Sequence, residues 1–152
     1  MTLQLRPARV ADCDGLTDVV FRSKQSNGYD DAFMDACRAE LAITADTLEA
    51  VQIWVAEDSG RLLGCAALGA VSRMEGEVSL FFVDPDVQGR GVGRMLWTTL
   101  FRLAHQKGYQ KLTLDADPNA AAFYAKQGFV EIGQTPSGSI KGRFLPKMQL
   151  SL

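Results

Sequence analysis

The sequence predicts one mixed α/β domain in which a mostly antiparallel central sheet is flanked by helices. Three observations predict it. The length of 152 residues is typical of a single domain, and 47% apolar with 22% charged residues is ordinary for a globular protein. Short alternating runs also interchange with amphipathic runs along the chain. We therefore expect one domain over residues 1–152, and the composition excludes disordered, collagen-like and coiled-coil classes.

The first half of the chain contains a strand, helices and a three-stranded meander. Pro7 ends the first strand, and Asp12 precedes a helix whose apolar residues recur at helical spacing. Asp58-Ser59-Gly60 is a tight turn between two strands, and Asp84-Pro85 closes the meander. The predicted elements are a strand at 2–6, a helix after Asp12, a turn-rich segment at 25–30, helices at 31–41 and 44–50, and strands at 52–57, 61–71 and 77–83.

The second half of the chain alternates helices with short strands. A glycine-rich run at 88–93 opens a helix that extends to about Lys107, with one apolar stripe, and Gly108 stops it. Asp117-Pro118 predicts an N-cap followed by a proline in the first helical turn. The remaining predicted elements are a strand at 111–115, a helix at 118–127, strands at 129–133 and 144–150, and a polar loop at 134–142.

Charge is unevenly divided along the chain, although the net charge is only −2. Residues 1–87 carry 7 Lys+Arg and 15 Asp+Glu, whereas residues 88–152 carry 9 and 3. This division favours an anionic ligand for the second half and a cationic one for the first, with scattered solvated charge as the alternative. The acidic balance and the absence of a dense Lys/Arg run disfavour nucleic-acid binding.

The cysteines and the apolar runs indicate the compartment. Cys13, Cys37 and Cys65 match neither a disulfide framework nor a metal spacing, so we expect reduced thiols, a cytoplasmic protein and no bound metal. The first twelve residues lack the apolar run of a signal peptide. The longest uncharged apolar stretch, 62–71, is shorter than the roughly 20 residues that cross a bilayer, so we expect no membrane association.

The strongest motif is the segment 81–94, in which an apolar strand leads through a glycine-rich turn into the long helix. Unpaired N–H groups at a helix start, together with the helix dipole, bind phosphate. The glycines at 89, 91 and 93 remove Cβ atoms from the turn, and Arg90 and Arg94 add positive charge. We predict a diphosphate site; a tight turn with close helix–strand packing is the structural alternative. The spacing fits neither a P-loop nor a Rossmann fingerprint.

Two motifs at a characteristic separation resemble those of the GNAT superfamily of acetyl-CoA-dependent N-acetyltransferases. They are Gln88-x-x-Gly91-x-Gly93, preceded by a strand and Asp-Pro, and Asn119-Ala-Ala-Ala-Phe123-Tyr124-Ala-Lys-Gln-Gly128-Phe129. The order of elements is similar over essentially the whole chain. The resemblance implies the GNAT fold and transfer of an acetyl group from acetyl-CoA to a primary amine by direct attack in a ternary complex.

The resemblance also implies a set of residues that hold acetyl-CoA. The backbone of the strand Phe81, Phe82 and Val83 would bind the pantetheine arm. The diphosphate would lie on the loop formed by Gln88, Gly89, Arg90, Gly91, Val92, Gly93 and Arg94. Asn119 corresponds to a pantetheine-contacting asparagine, but many relatives place that residue seven positions before the tyrosine, where this chain has Asp117. Which of the two makes the contact stays open.

Two residues are candidates for proton transfer. Tyr124 corresponds to the tyrosine that protonates the leaving thiolate, and a phenol of pKa about 10 suits a thiolate of pKa about 8.5. An amphipathic core tyrosine is the alternative. Glu77 resembles the catalytic glutamate of the histone-acetyltransferase branch, with a solvated hairpin residue, the weaker Glu75 or a water chain as alternatives. Strand alternation places Glu77, Ser79, Phe81 and Val83 on one face unless a bulge intervenes.

The acceptor side is predicted from two segments, 25–33 and 134–143, which correspond to the family's acceptor lips. Tyr29, Asp30 and Phe33 are our candidates for acceptor binding, because acidic and aromatic groups suit a cationic amine. A solvated N-cap cluster explains the acidic residues equally well. The second segment is basic, which instead favours a carboxylated acceptor or closure over CoA. We therefore expect an amine-bearing acceptor without naming it.

Two other functions stay open from the sequence. One is a catalytically silent acyl-CoA-binding regulator of the same fold, and the other is a nucleotide-binding α/β domain with different chemistry. Neither the acyl-chain preference nor the oligomeric state, a homodimer included, follows from the residues.

Overall fold

The computed structural model describes residues 2–152, which form a seven-stranded sheet in the order β1-β2-β3-β4-β5-β7-β6. All neighbouring strands are antiparallel except β4 and β5, which are parallel. The predicted fold class, a mixed and mostly antiparallel sheet flanked by helices, is confirmed. The strands are β1 Gln4–Pro7, β2 Ile53–Asp58, β3 Arg61–Ala70, β4 Glu75–Val83, β5 Lys111–Asp115, β6 Val130–Pro136 and β7 Phe144–Ser151. The helices are α1 Cys13–Gln25, α2 Asp31–Leu41, α3 Ala45–Ala50, α4 Val92–Gln106 and α5 Ala121–Lys126.

The helix α5 is shorter than predicted, because it begins at Ala121 and not at Pro118. The carboxylate of Asp117 accepts a hydrogen bond from the Asn119 N–H at 2.8 Å, and its carbonyl accepts one from the Ala120 N–H at 2.8 Å. These bonds close a separate turn before the helix. The prediction that Asp117 caps a helix starting at Pro118 is therefore wrong.

Two apolar clusters cover the two faces of the sheet. On one face α1 packs Leu16 and Val20 against Cys65 of β3. On the other face α4 packs its apolar stripe, including Leu96 and Leu100, against β3, β4 and β5. The strand β3 is buried on both faces from Leu63 to Leu68, which explains why its sequence is continuously apolar and not alternating.

The parallel seam between β4 and β5 is short. Only Glu75–Glu77 pair with Lys111–Thr113. After Glu77, β4 continues to Val83 along β3, but it has no strand partner on its β5 side. The sheet is thus open in its middle, and the backbone of β4 faces this opening.

A bulge interrupts β4 next to the seam. Leu80 pairs with Ala67 and Val78 pairs with Leu68, so Ser79 has no opposing residue on β3. The extra residue reverses the alternation of faces along the strand. Glu77 therefore shares a face with Leu80 and Phe82, and the predicted face of Glu77, Ser79, Phe81 and Val83 is wrong.

The end of β4 is fixed to α1 by an ion pair between the buried carboxylate of Asp84 and the partly exposed Arg22. Asp84 is 1% exposed and accepts two hydrogen bonds of 2.9 Å from the guanidinium of Arg22. It also caps the turn of residues 85–87 by accepting from the Asp86 N–H at 2.9 Å. These hydrogen bonds, chiefly those from Arg22, lower the pKa of Asp84. The start of the glycine-rich loop is thereby held in place.

Residues 2–152 contain neither a membrane-spanning helix nor a cluster of metal-ligating side chains. No helix in that range has the length and apolar character required to cross a membrane. Nor do three or more His, Cys, Asp or Glu side chains meet there in a way that could hold a metal ion.

Candidate active site

A cleft of about 700 Å³ occupies the opening between β4 and β5. Its walls are β4 from Val78 to Val83, the residues before and at the start of α4, and the α5 segment from Asp117 to Tyr124. The last turn of α1 and the end of α2 close its other end. One continuous cleft therefore joins the glycine-rich loop, the open strand edge and the segment between α1 and α2.

The glycine-rich loop forms one end of the cleft. Gly89 has φ of 80° and Gly91, the N-cap of α4, has φ of 87°, a conformation that side chains with a Cβ rarely adopt. No atom beyond their chain neighbours lies within 4 Å of where a Cβ would stand on either residue. The first N–H groups of the 15-residue helix α4 point out of this loop without a side-chain cap. The loop is thus open to an anionic ligand.

The structure separates the predicted loop residues into two groups. Gln88, Gly89, Val92 and Gly93 line the cleft. Gly91 and Arg94 instead line a shallow depression on the outer side of α4, and Arg90 is exposed. The strand residues Phe81, Phe82 and Val83 all line the cleft.

Tyr124 lies in the wall of the cleft beside Phe81, with their ring centroids 6.3 Å apart. Its side chain is 9% exposed. Burial, with a smaller contribution from the negative charge of Asp117, raises the pKa of Tyr124 to about 12. The phenol therefore stays protonated at neutral pH and can donate a proton into the cleft.

Glu77 is the last residue of β4 that pairs with β5, and the cleft begins directly after it at Val78. Burial raises the pKa of Glu77, the charge of Asp115 raises it further, and Lys147 opposes both effects. A raised carboxyl pKa brings the group closer to the range in which a general base works at neutral pH. Because of the bulge, Glu77 lies on the α1 face of the sheet, whereas Tyr124 packs in the cluster on the α4 face.

Tyr29 and Phe33 stack with ring centroids 4.0 Å apart and an interplanar angle of 9°. Neither lines the cleft, but the Tyr29 hydroxyl bonds to Asp117 and Asn119, which do. The predicted third member, Asp30, is exposed, and its carboxylate accepts from the Phe33 N–H at 2.8 Å as the N-cap of α2. The neighbouring Asp31 accepts from the Gln25 amide at 2.8 Å. The structure therefore brings Tyr29 and Phe33 together, and it gives Asp30 a capping contact.

Four side chains meet around Tyr29, and we refer to the five residues together as the basic cluster: Lys24, Tyr29, Asp117, Asn119 and Arg143. The hydroxyl of Tyr29 donates to the carboxylate of Asp117, whose oxygens lie at 2.9 and 3.0 Å, and accepts from the Asn119 amide at 3.1 Å. Arg143 donates to the same hydroxyl at 2.7 Å, and Lys24 donates to Asp117. Asn119 thus contacts Tyr29, and it also lines the cleft.

Charges inside the basic cluster shift the pKa values of two of its members. Burial raises the pKa of Asp117, but the hydrogen bonds from Lys24, the Asn119 N–H and Tyr29 outweigh it, so the net pKa lies below the ordinary value. Burial and the adjacent carboxylate raise the pKa of Tyr29, so Tyr29 is neutral. At neutral pH the cluster therefore contains two cations and one anion.

Sequence reasoning missed Lys24 and Glu40, both of which line the cleft. It treated Asp117 as a helix cap and as an alternative to Asn119, and not as a partner of Lys24. The sequence did contain one signal for Lys24. Leu16, Val20 and Lys24 are spaced four residues apart on one face of α1, and the first two are buried. A lysine on an apolar row indicates a buried partner. For Glu40, on an exposed stretch of α2, we find no such signal.

Comparison with known proteins identifies the family. The model of the acetyltransferase (GNAT) domain matches residues 20–152. The chain belongs to the GNAT family. It is 30% identical over 163 residues to the L-amino acid N-acyltransferase MnaT of Escherichia coli, an alignment that covers 99% of this chain and 94% of that protein. The chain spans only 52% and 63% of the lengths of two other curated relatives.

Solved structures of GNAT-like proteins share the fold over the whole chain. A GCN5-related N-acetyltransferase from Rhodopseudomonas palustris superposes with a TM-score of 0.80 at 28% identity, covering 100% of this chain and 97% of that one. The protein yncA of Salmonella typhimurium, solved with acetyl-CoA, superposes with a TM-score of 0.67 at 26% identity over 99% of this chain and 94% of that one. The resemblance predicted from the two motifs is confirmed.

Proposed function

We propose that this GNAT-family chain is an N-acetyltransferase that moves an acetyl group from acetyl-CoA to a primary amine. The observation that carries the proposal is the single cleft that joins the glycine-rich start of α4 to Tyr124 through the open edge of β4. A phosphate site, an extended-chain site and a proton donor thus lie along one path.

The residues of the cleft fit a CoA thioester. Two left-handed glycines leave the N–H groups at the start of α4 open to a diphosphate, and helix dipoles favour negative charge there. Beyond Glu77, the backbone N–H and C=O groups on the β5 side of β4 have no strand partner. They suit the amide groups of a pantetheine arm that lies along β4 in the way that an added strand would. When bound, acetyl-CoA supplies an acetyl group activated as a thioester.

Direct transfer in a ternary complex is the route that the cleft supports. A covalent route needs an accessible nucleophile such as a cysteine thiolate. Cys13, Cys37 and Cys65 are all buried, and none of them lines the cleft. Burial also raises the pKa of Cys65 to about 12, which keeps that thiol protonated.

Glu77 and Tyr124 are assigned complementary proton transfers. The acceptor amine must lose a proton, and Glu77, beside the opening with a raised pKa, accepts it directly or through water. Tyr124 keeps its proton at neutral pH and donates it to the departing thiolate. The two groups lie on opposite faces of the sheet: Tyr124 lines the cleft, whereas Glu77 precedes the first lining residue, Val78.

The activity is tested by following free thiol while the protein is incubated with acetyl-CoA and a panel of amines. Thiol release that depends on an amine is the expected result. Tight CoA binding without release for any amine would instead support a regulatory acyl-CoA-binding protein.

Thermal unfolding gives a second test. CoA at 100 times its Kd should stabilise the protein by about 2.7 kcal/mol, whereas ATP and NAD should not stabilise it. Stabilisation by ATP or NAD but not by CoA would refute the CoA site.

A further inference from the structure

We infer that the acceptor is a small amine that also carries a carboxylate, as an amino acid does, and that Lys24 and Arg143 of the basic cluster receive this carboxylate. The inference rests on the proposed acetyltransferase function, which it extends to the class of acceptor.

The charge balance of the basic cluster favours an acceptor with one negative charge. The side chains of Lys24, Arg143 and Asp117 are only 12%, 18% and 10% exposed. Asp117 is the one carboxylate of residues 2–152 within 4.0 Å of either cation. Buried charge is costly unless it is compensated, so the excess of one positive charge favours one further negative charge. A carboxylate supplies one unit, whereas a phosphate dianion would supply two.

Lys24 and Arg143 also have hydrogen-bond donors to spare for a carboxylate. An ammonium group has three N–H donors and a guanidinium has five. Lys24 uses one of its donors on Asp117, and Arg143 uses one on the Tyr29 hydroxyl. Donors therefore remain on both side chains, and the planar guanidinium matches the geometry of a carboxylate. Lys24 itself lines the cleft.

A purely cationic acceptor would need acidic groups to attract it. Those between α1 and α2 are engaged locally, since Asp30 caps α2 and Asp31 bonds to Gln25. Asp35 forms an exposed ion pair of 2.9 Å with Arg38 on the same helix. None of these three lines the cleft. Of the carboxylates that do, Asp117 is paired with Lys24 and Arg143, Asp115 accepts from Thr135, and Glu40 accepts from Ser139.

The size of the acceptor follows from contacts between the two lips. Arg143, at the end of the β6–β7 loop, bonds to Tyr29 and lies 4.9 Å above the ring of Phe33. Ser139 of the same loop donates to Glu40 of α2. The segment around α2 and the β6–β7 loop are thus joined to each other, and Glu40 of these contacts lines the cleft. A polypeptide would have to break both connections, whereas a small molecule would not.

The test compares L-amino acids with their carboxamides, which are close to the acids in size and shape but lack the negative charge. With acetyl-CoA in excess, kcat/KM should be at least tenfold higher for at least one acid than for its amide. Arg143→Gln should raise the KM of that acid at least tenfold and should reduce the ratio of kcat/KM between the acid and its amide at least fivefold. Arg143→Lys, which keeps the charge, should recover part of the loss.

A matched control is Arg73→Gln, which removes an exposed arginine that forms no ion pair with any residue in 2–152. It should leave every one of these constants unchanged. Equal turnover of acids and amides, preference for phosphoethanolamine, or faster acetylation of a lysine peptide would each overturn the inference. Calorimetric binding of the acids to the CoA-saturated protein separates the two proposals. Binding of acids but not amides, without turnover, would support the carboxylate site and refute the acetyltransferase function.

Discussion

Replacing Tyr124 with phenylalanine should separate catalysis from stability and cofactor binding. The ring is 9% exposed and packs against Phe81 and Phe129, contacts that phenylalanine keeps. The hydroxyl has no hydrogen-bond partner among residues 2–152 in the structure, so its removal should change the free energy of unfolding by less than about 1 kcal/mol. Loss of a general acid lowers the rate by about 10²–10⁴, which is about 3–5 kcal/mol of transition-state stabilisation.

The assay measures kcat by thiol release and the Kd of CoA by calorimetry. With a pKa of about 12, roughly one Tyr124 side chain in a thousand is ionised at pH 9, so the wild-type rate should not fall from its ionisation below that pH. Tyr109→Phe is the matched control, because Tyr109 is 8% exposed and does not line the cleft. A kcat of Tyr124→Phe within about threefold of wild type would remove Tyr124 from the mechanism.

Three further predictions concern the base, the loop and the anchor of β4. Glu77→Gln should lower kcat about a hundredfold. In the wild type, kcat should rise with pH through the raised pKa of Glu77, because the base acts when it is deprotonated. The variant should lack this acidic limb of the pH profile. Gly91→Ala places a Cβ at φ of 87°, which costs about 1–2 kcal/mol, and should raise the KM of acetyl-CoA at least tenfold in initial-rate measurements. Asp84→Ala removes a carboxylate that accepts from Arg22 and caps the turn of residues 85–87, and it should lower the free energy of unfolding in urea by about 2 kcal/mol.

Control variants make each of these outcomes decisive. Gly60→Ala introduces the same strain at φ of 85° in the β2–β3 turn, so it should lower stability without changing the KM of acetyl-CoA. Asp86→Ala removes a carboxylate that is 72% exposed and should change stability by less than about 0.5 kcal/mol. A pH profile of Glu77→Gln that kept the wild-type acidic limb would assign the base to another group.

The features that sequence reasoning predicted are those governed by local rules. The observed bounds of α2 match the predicted ones. Asp30 caps this helix by accepting a hydrogen bond from the N–H of Phe33, three residues later. The glycine-rich loop was predictable for the same reason, since left-handed backbone and an uncapped helix start require glycine within a few residues. The short strand β5 also has the predicted bounds.

The features that it could not predict depend on residues far apart in the chain. Lys24 and Asp117 are 93 residues apart, and neither one reveals its partner on its own. The bulge at Ser79 is set by how β4 packs on β3, so no pattern within β4 indicates it, although the bulge decides which face carries Glu77. Asp117 was misassigned as a helix cap because an Asp-Pro pair favours a turn and a helix start alike.

The open seam between β4 and β5 also bears on the solution behaviour of the protein. From Val78 to Val83, β4 presents a sheet edge in the interior of the fold, and such edges can pair with strands of other chains. Most proteins protect an edge with charges, prolines or bulges, and here the bulge at Ser79 contributes to that protection. The cosubstrate would cover the rest. The concentration of cosubstrate would then influence how long the stored protein stays free of aggregates, in addition to the rate of catalysis.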